Sequence, residues 1–121
     1  MQLWFASRTG KVETIVSKLQ LKNVFRIFNG KEVATEEYIL FTYTDGEGEV
    51  PKVVTTFLEL NHHLLRGVIG SGNKNFGKNF CKSVHIINEK YNVPILMKFD
   101  LGGNRTAIEQ LKTVLTELNL S

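Results

Sequence analysis

Apolar residues recur along this chain in two alternating rhythms. Short unbroken apolar runs read as buried strands, and stretches with apolar residues three and four apart read as amphipathic helices. Residues 3–5 form the first run, and Val12, Ile15, Val16 and Leu19 follow at helical spacing. Residues 24–28 form a second run, closed by the turn pair Asn29-Gly30. The segment YILFTY, residues 38–43, is nearly all β-formers and reads as a buried strand. After the polar stretch TDGEGEVP, Pro51 suits the first turn of a helix whose apolar face carries Val54, Phe57 and Leu58. Residues 64–69 read as a strand in spite of Arg66 and Gly67. A second glycine loop, SGNKNFGKN, precedes a helix marked by Phe80, Val84, Ile87 and Tyr91. Pro94 stops that helix, residues 95–99 make the last strand, and Asn104 is placed to cap a final helix carrying Ile108, Leu111, Leu115 and Leu118.

The pattern predicts five strands and four helices, with a short link between the second and third strands. Strands that alternate with helices imply a parallel sheet covered on both faces, an α/β class. In such folds ligands bind at the carboxyl ends of the strands, where the chain order reverses. Three polar loops leave strand ends here: SRTGK, TDGEGE and SGNKNFG. They are expected to converge on one rim.

Composition narrows the picture slightly. The chain has 121 residues, enough for one domain, 1–121, with a real core. Its net charge is +3, with lysines and arginines scattered, so no nucleic-acid surface is indicated. Cys81 is the only cysteine, which excludes an internal disulfide, and no zinc-ligand spacing is present. His62 and His63 are adjacent, point to different helix faces and lack a second ligand pair, so no metal site is expected. His85 reads as helix surface, and Cys81 as a small apolar residue. The start, MQLWFASRTG, lacks the pattern of a signal peptide, and no apolar run approaches the roughly 20 residues of a membrane span. A cytoplasmic protein is the expectation.

The chemistry lies in the loops. Ser7, Arg8, Thr9, Gly10 and Lys11 gather two hydroxyls, two cations and a glycine before a helix. Amides at a helix start bind anions, and a glycine lets the backbone close on the oxygens. A phosphate suits this set; the bland alternative is that Ser7 or Thr9 caps the helix and Gly10 eases the turn. Residues 72–79, GNKNFGKN, nearly spell the phosphate-binding motif G-x-x-x-x-G-K-[ST]. Asn79 replaces the magnesium-binding hydroxyl, Asp100 could only imitate the second acid, and too little chain follows for a nucleotide-hydrolysing fold. Phe76 stands in this polar loop, either to stack on a flat aromatic ligand or to plug the sheet end. Tyr43 carries the same two readings.

Taken together, SRTG, TYT, GEVP, SGNKNFG followed by NF, and YNVPILMKFDLGG resemble the flavodoxin-like proteins, and most closely the NrdI family. The resemblance spans nearly the whole chain. It implies a three-layer fold with a five-stranded parallel sheet in the order 2-1-3-4-5 and helices on both faces. It also implies FMN as cofactor. Ser7, Arg8, Thr9, Gly10, Lys11 and Val12 would then surround the phosphate. Tyr43, Thr44, Asp45, Gly46 and Gly48 would border the ring, and Ser71, Gly72, Asn73, Phe76 and Gly77 would line its other side. Val12 replaces the hydroxyl common in flavodoxins, which favours NrdI. No aromatic stands among Asp45, Gly46 and Glu47, so one ring face would be left open.

The role implied by the resemblance is activation of class Ib ribonucleotide reductase. Reduced FMN, supplied with electrons by a flavin-reducing protein, would convert dioxygen to superoxide for the dimanganese small subunit, where a tyrosyl radical forms. The chain itself would contribute no catalytic acid or base. Gly46 and Gly48 would let a peptide beside the ring reorient with redox state. A general electron-carrying flavodoxin is the alternative, although such carriers tend to be acidic. A regulatory module without a cofactor is the third reading.

Overall fold

A computed structural model describes residues 1–46, 48–100 and 103–120, with the side chain of Phe76 outside the description. The strands are β1 (Gln2–Phe5), β2 (Val24–Arg26), β3 (Tyr38–Tyr43), β4 (Leu65–Gly72) and β5 (Ile95–Asp100). The α-helices are α1 (Lys11–Leu19), α2 (Lys52–Asn61), α3 (Lys82–Tyr91) and α4 (Arg105–Glu117). All strand pairs are parallel, in the order β2-β1-β3-β4-β5. This is the flavodoxin-like order that the resemblance implied.

Continuous apolar strands bury both of their faces. Trp4, Leu40 and Val68 point to one side and meet Val54 and Phe57 of α2 and Val84 and Ile87 of α3. Leu3, Phe5, Ile39, Phe41 and Ile69 point to the other and meet Ile15 of α1 and Leu111 and Leu115 of α4. The period-two alternation thus separates two apolar layers rather than an apolar and a polar one. Among the described residues no helix is long and apolar enough to cross a membrane.

Several element boundaries differ from the sequence reading, β1 beginning at Gln2 and β5 ending at Asp100 among them. β2 ends at Arg26, because the Glu32 carboxylate accepts the amides of Phe28, Asn29 and Gly30 at 2.8, 3.2 and 3.0 Å and turns the chain there. β4 starts one residue late, after a 3-10 turn at His62–Leu64, and continues to Gly72. α3 begins at Lys82 rather than Phe80, since Cys81 adopts a left-handed φ of 51°. α4 stops at Glu117, with Leu118 just past its end. Its start follows the reading: the Asn104 side-chain oxygen accepts the Ala107 amide at 2.9 Å.

Buried Asn61 secures the link between β2 and β3. Its side chain accepts the Ala34 amide at 2.8 Å and donates to the carbonyls of Glu32 and Phe57 at 2.9 and 3.0 Å. Glycines of β4 govern how closely α3 approaches the sheet. A Cβ at Gly70 would lie 2.8 Å from Val84 Cγ1, and one at Gly72 would lie 3.0 Å from the Cys81 amide. Cys81 is completely buried, and its thiol faces the Phe99 carbonyl at 3.8 Å. Burial pushes that thiol from an ordinary 9.0 up to about 11, against the pull of the nearby Lys98 ammonium.

Two outcomes are expected. Gly70→Ala forces its methyl onto a β-branched neighbour with little rotamer freedom, so unfolding stability falls by about 1–3 kcal/mol, read from urea midpoints. The raised thiol keeps its proton in the folded chain while the unfolded chain loses it, so its contribution is complete below pH 9 and lost as pH rises towards 11. Urea midpoints of Cys81→Ala should therefore decline less steeply across that window than those of the parent; identical slopes would contradict the buried-thiol assignment.

Candidate functional site

The carboxyl end of β1 leads into the first loop. Gly10, at φ 90°, swings the chain into α1; a Cβ there would touch nothing within 4 Å, so glycine is required by conformation rather than by space. No side chain caps this helix closely: the Ser7 hydroxyl accepts the Glu13 amide at 3.4 Å, a long contact, and Thr14 is the first residue whose amide returns to Gly10. Among the described residues, the amides of Lys11 and Val12 have no protein partner. First-turn amides have no partner within their own helix, so these two donors are open to a ligand or to water. Arg26 braces the loop from β2, donating to the Ser7 carbonyl at 3.1 Å while its guanidinium pairs with Glu13.

The end of β3 is tied to the start of α3. The Thr44 and Ser83 hydroxyls meet at 2.9 Å, the Ser83 amide donates to Thr44 Oγ1 at 3.2 Å, and the Ser83 hydroxyl reaches the Tyr43 carbonyl at 3.0 Å. Beyond Thr44 the chain closes on itself, with the Asp45 amide bonded to the Glu49 carbonyl at 2.8 Å and the Glu49 amide to the Asp45 carbonyl at 2.7 Å. Gly46 and Gly48 both take positive φ in this turn. Asp45 pairs with Arg8 at 3.0 Å, and the Arg8 guanidinium lies 5.6 Å from the centre of the Tyr43 ring. Burial raises the Tyr43 phenol above its usual range; Asp45 adds to the rise and Arg8 opposes it.

The end of β4 supplies the third wall. Asn73 folds its side-chain oxygen onto the Asn75 amide at 2.9 Å, and the chain makes short 3-10 turns over Lys74–Asn79, kinked at Gly77. Asp100 accepts the Lys74 amide at 3.0 Å, so it braces this segment. The Gly77-Lys78 pair precedes α3 by several residues, whereas the phosphate-binding motif opens its helix directly. The near-match is thus not built as that motif.

The three loops enclose a cleft of about 300 Å³ that opens to solvent. Its lining comprises Ser7, Arg8, Thr9, Lys11 and Val12 from the first loop, and Tyr43, Thr44 and Gly46 from the second. Ser71, Gly72 and Asn73 complete it, together with Asn79. Gly10, Asp45, Gly48 and Gly77 are not among the lining residues, and the three glycines take positive φ in their loops. Phe76, whose side chain lies outside the described residues, is not placed in it. Asn79 and Arg26 were missed from sequence. Asn79 was noticed only as the residue that spoils a motif, and nothing local marks Arg26 as a brace.

Other candidates are engaged elsewhere. His62 stacks on Tyr91 at 5.4 Å, and its Nδ1 lies 2.9 Å from the Leu58 carbonyl. His85 sits 3.2 Å from the Lys98 ammonium on the exposed side of α3. The cleft itself joins a cluster of free donors at the start of α1 to a wall of tyrosine and small polar residues. Such a cleft accepts an anionic group at one end and a flat polar group at the other.

Solved structures with the same fold include a short-chain flavodoxin associated with a non-canonical PDU bacterial microcompartment. It is 20% identical over 98% of this chain and 95% of its own, with a TM-score of 0.72. A cysteine-to-serine variant of flavodoxin from Pseudomonas aeruginosa is 18% identical over 98% of this chain and 96% of its own, with a TM-score of 0.62. At these identities the likeness establishes the fold. Residues 3–113 match the family described as NrdI flavodoxin like, which covers nearly all the chain. The chain belongs to the NrdI flavodoxin-like family.

Proposed function

We propose that the cleft holds FMN and that the protein supplies superoxide to the dimanganese small subunit of class Ib ribonucleotide reductase. The observation that carries the cofactor reading is the pair of unpartnered amides, Lys11 and Val12, opening into a cleft at the sheet's reversal point. Family membership supports the flavin and the reductase partner.

Bound FMN would supply the redox chemistry, taking electrons from a reducing protein and passing them to dioxygen. The residues around it would bind and orient. The Ser7 and Thr9 hydroxyls and the α1 amides would donate to phosphate oxygens, with Lys11 adding positive potential. Tyr43 offers the ring an apolar face, and the side-chain amides of Asn73 and Asn79 offer polar groups to its edge. The described cleft lining contains no carboxylate, imidazole or thiol, and its titratable side chains besides the Arg8 guanidinium are those of Lys11 and Tyr43. The net charge of +3 favours this role over that of an acidic electron carrier.

The test begins with FMN titration of purified protein, followed by visible absorbance, which should show saturable binding. Ser7→Ala and Thr9→Ala should each weaken FMN about five- to tenfold and leave riboflavin affinity unchanged, as expected for lost phosphate hydrogen bonds. Aeration of the reduced complex should then produce superoxide, detected as dismutase-sensitive cytochrome c reduction. Mixed with a dimanganese subunit and dioxygen, it should generate a tyrosyl radical seen by electron paramagnetic resonance. Flavin binding without radical formation would favour the electron-carrier reading; protein that takes up no FMN would refute the cofactor assignment.

A further inference from the structure

The sequence places Arg8 with the groups that would hold a phosphate, yet its guanidinium is directed elsewhere. Arg8 Nη1 lies 3.0 Å from Asp45 Oδ1, joining the first loop to the second. On the way the guanidinium passes 5.6 Å from the Tyr43 ring centre. Asp45 is the residue on which the following turn closes. Its carbonyl accepts the amides of Gly48 and Glu49 at 3.1 and 2.7 Å, its amide donates to Glu49, and its Oδ1 also accepts the Gly46 amide at 3.0 Å. The carboxylate that receives Arg8 therefore belongs to the hinge of the turn. Arg8 lines the cleft, and Asp45 is not among the lining residues.

We propose that Arg8 is a positioning residue rather than a phosphate ligand: it straps the turn closed between Asp45 and Glu49 to the loop after β1, which lines the cleft. The pair is largely solvent-exposed, with side-chain exposures of 61% and 37%, so it is a weak, salt-sensitive contact and not a rigid bond. Such a contact opens and closes easily. It controls how often the turn, with its two positive-φ glycines, leaves the closed conformation, and how readily a ligand passes beneath Arg8. The part concerning ligand exchange rests on the flavin reading; the part concerning the turn does not.

The experiment compares the parent, Arg8→Gln, Asp45→Asn and the double variant. Amide hydrogen exchange at Gly48 and Glu49, measured without ligand, should accelerate about two- to fivefold in each single variant, as expected for loss of an exposed ion pair. The double variant should be no faster than the singles, and high salt should bring the parent towards them. Unchanged exchange, or additive effects in the double variant, would overturn the strap. Stopped-flow release of FMN and of riboflavin should then be faster by a similar factor for both ligands in Arg8→Gln. Faster release of FMN alone would make Arg8 a phosphate ligand and overturn the proposal. Absence of any flavin binding by the parent would refute the cofactor reading, and the exchange measurement would still decide the strap.

Discussion

Everything at this site follows from one constraint: in a parallel sheet all strands end at the same edge. After β1 the chain crosses to one face and forms α1; after β3 it crosses to the other and forms α2. The two departures leave a crevice between adjacent strands that no backbone segment fills. Lys11 and Val12 at the start of α1 line this crevice, and their amides have no protein partner among the described residues. The first wall of the cleft is therefore a product of topology, and its residues only need to be small, polar and suitably charged.

The third wall needs a further condition, close approach. α3 lies against β4 where glycines leave room for Val84 and Cys81, and the turns between them are folded back against Asp100. Ser83 then ties α3 to the end of β3. A short helix-start contact thus fixes two walls relative to each other. Ser83 is fully buried in that contact, which raises its cost of disruption, because the hydroxyl would be stranded without water if its partners left.

Much of this was legible in the sequence, and the reasons differ by element. YILFTY could only be a strand buried on both faces, and the helical spacing from Val12 to Leu19 had no competing reading. The loops were legible because glycines, hydroxyls and cations are not needed together for a turn. What escaped reading depends on contacts made through space. The Glu32 carboxylate ends β2 from outside the strand. The left-handed conformation of Cys81 delays α3, and a cysteine is no usual signal for it. Arg26 and Asn79 become visible only when the strands bring their loops together.

Arg8 illustrates the same limit at a finer scale. A sequence reading assigns a cation in an anion-binding loop to the anion, because charge is the property that sequence displays. Direction is set by the neighbouring loop, and there a carboxylate already waits beside a tyrosine face. The first loop does not need Arg8 in order to be positive, since α1's amino end and Lys11 are present regardless. That redundancy leaves Arg8 available to hold the second loop. An exposed ion pair is too weak to lock a structure, yet a fraction of a kcal/mol to about 1 kcal/mol is enough to shift how often a glycine-rich turn opens. A weak contact at a hinge can therefore govern exchange where a strong one would prevent it.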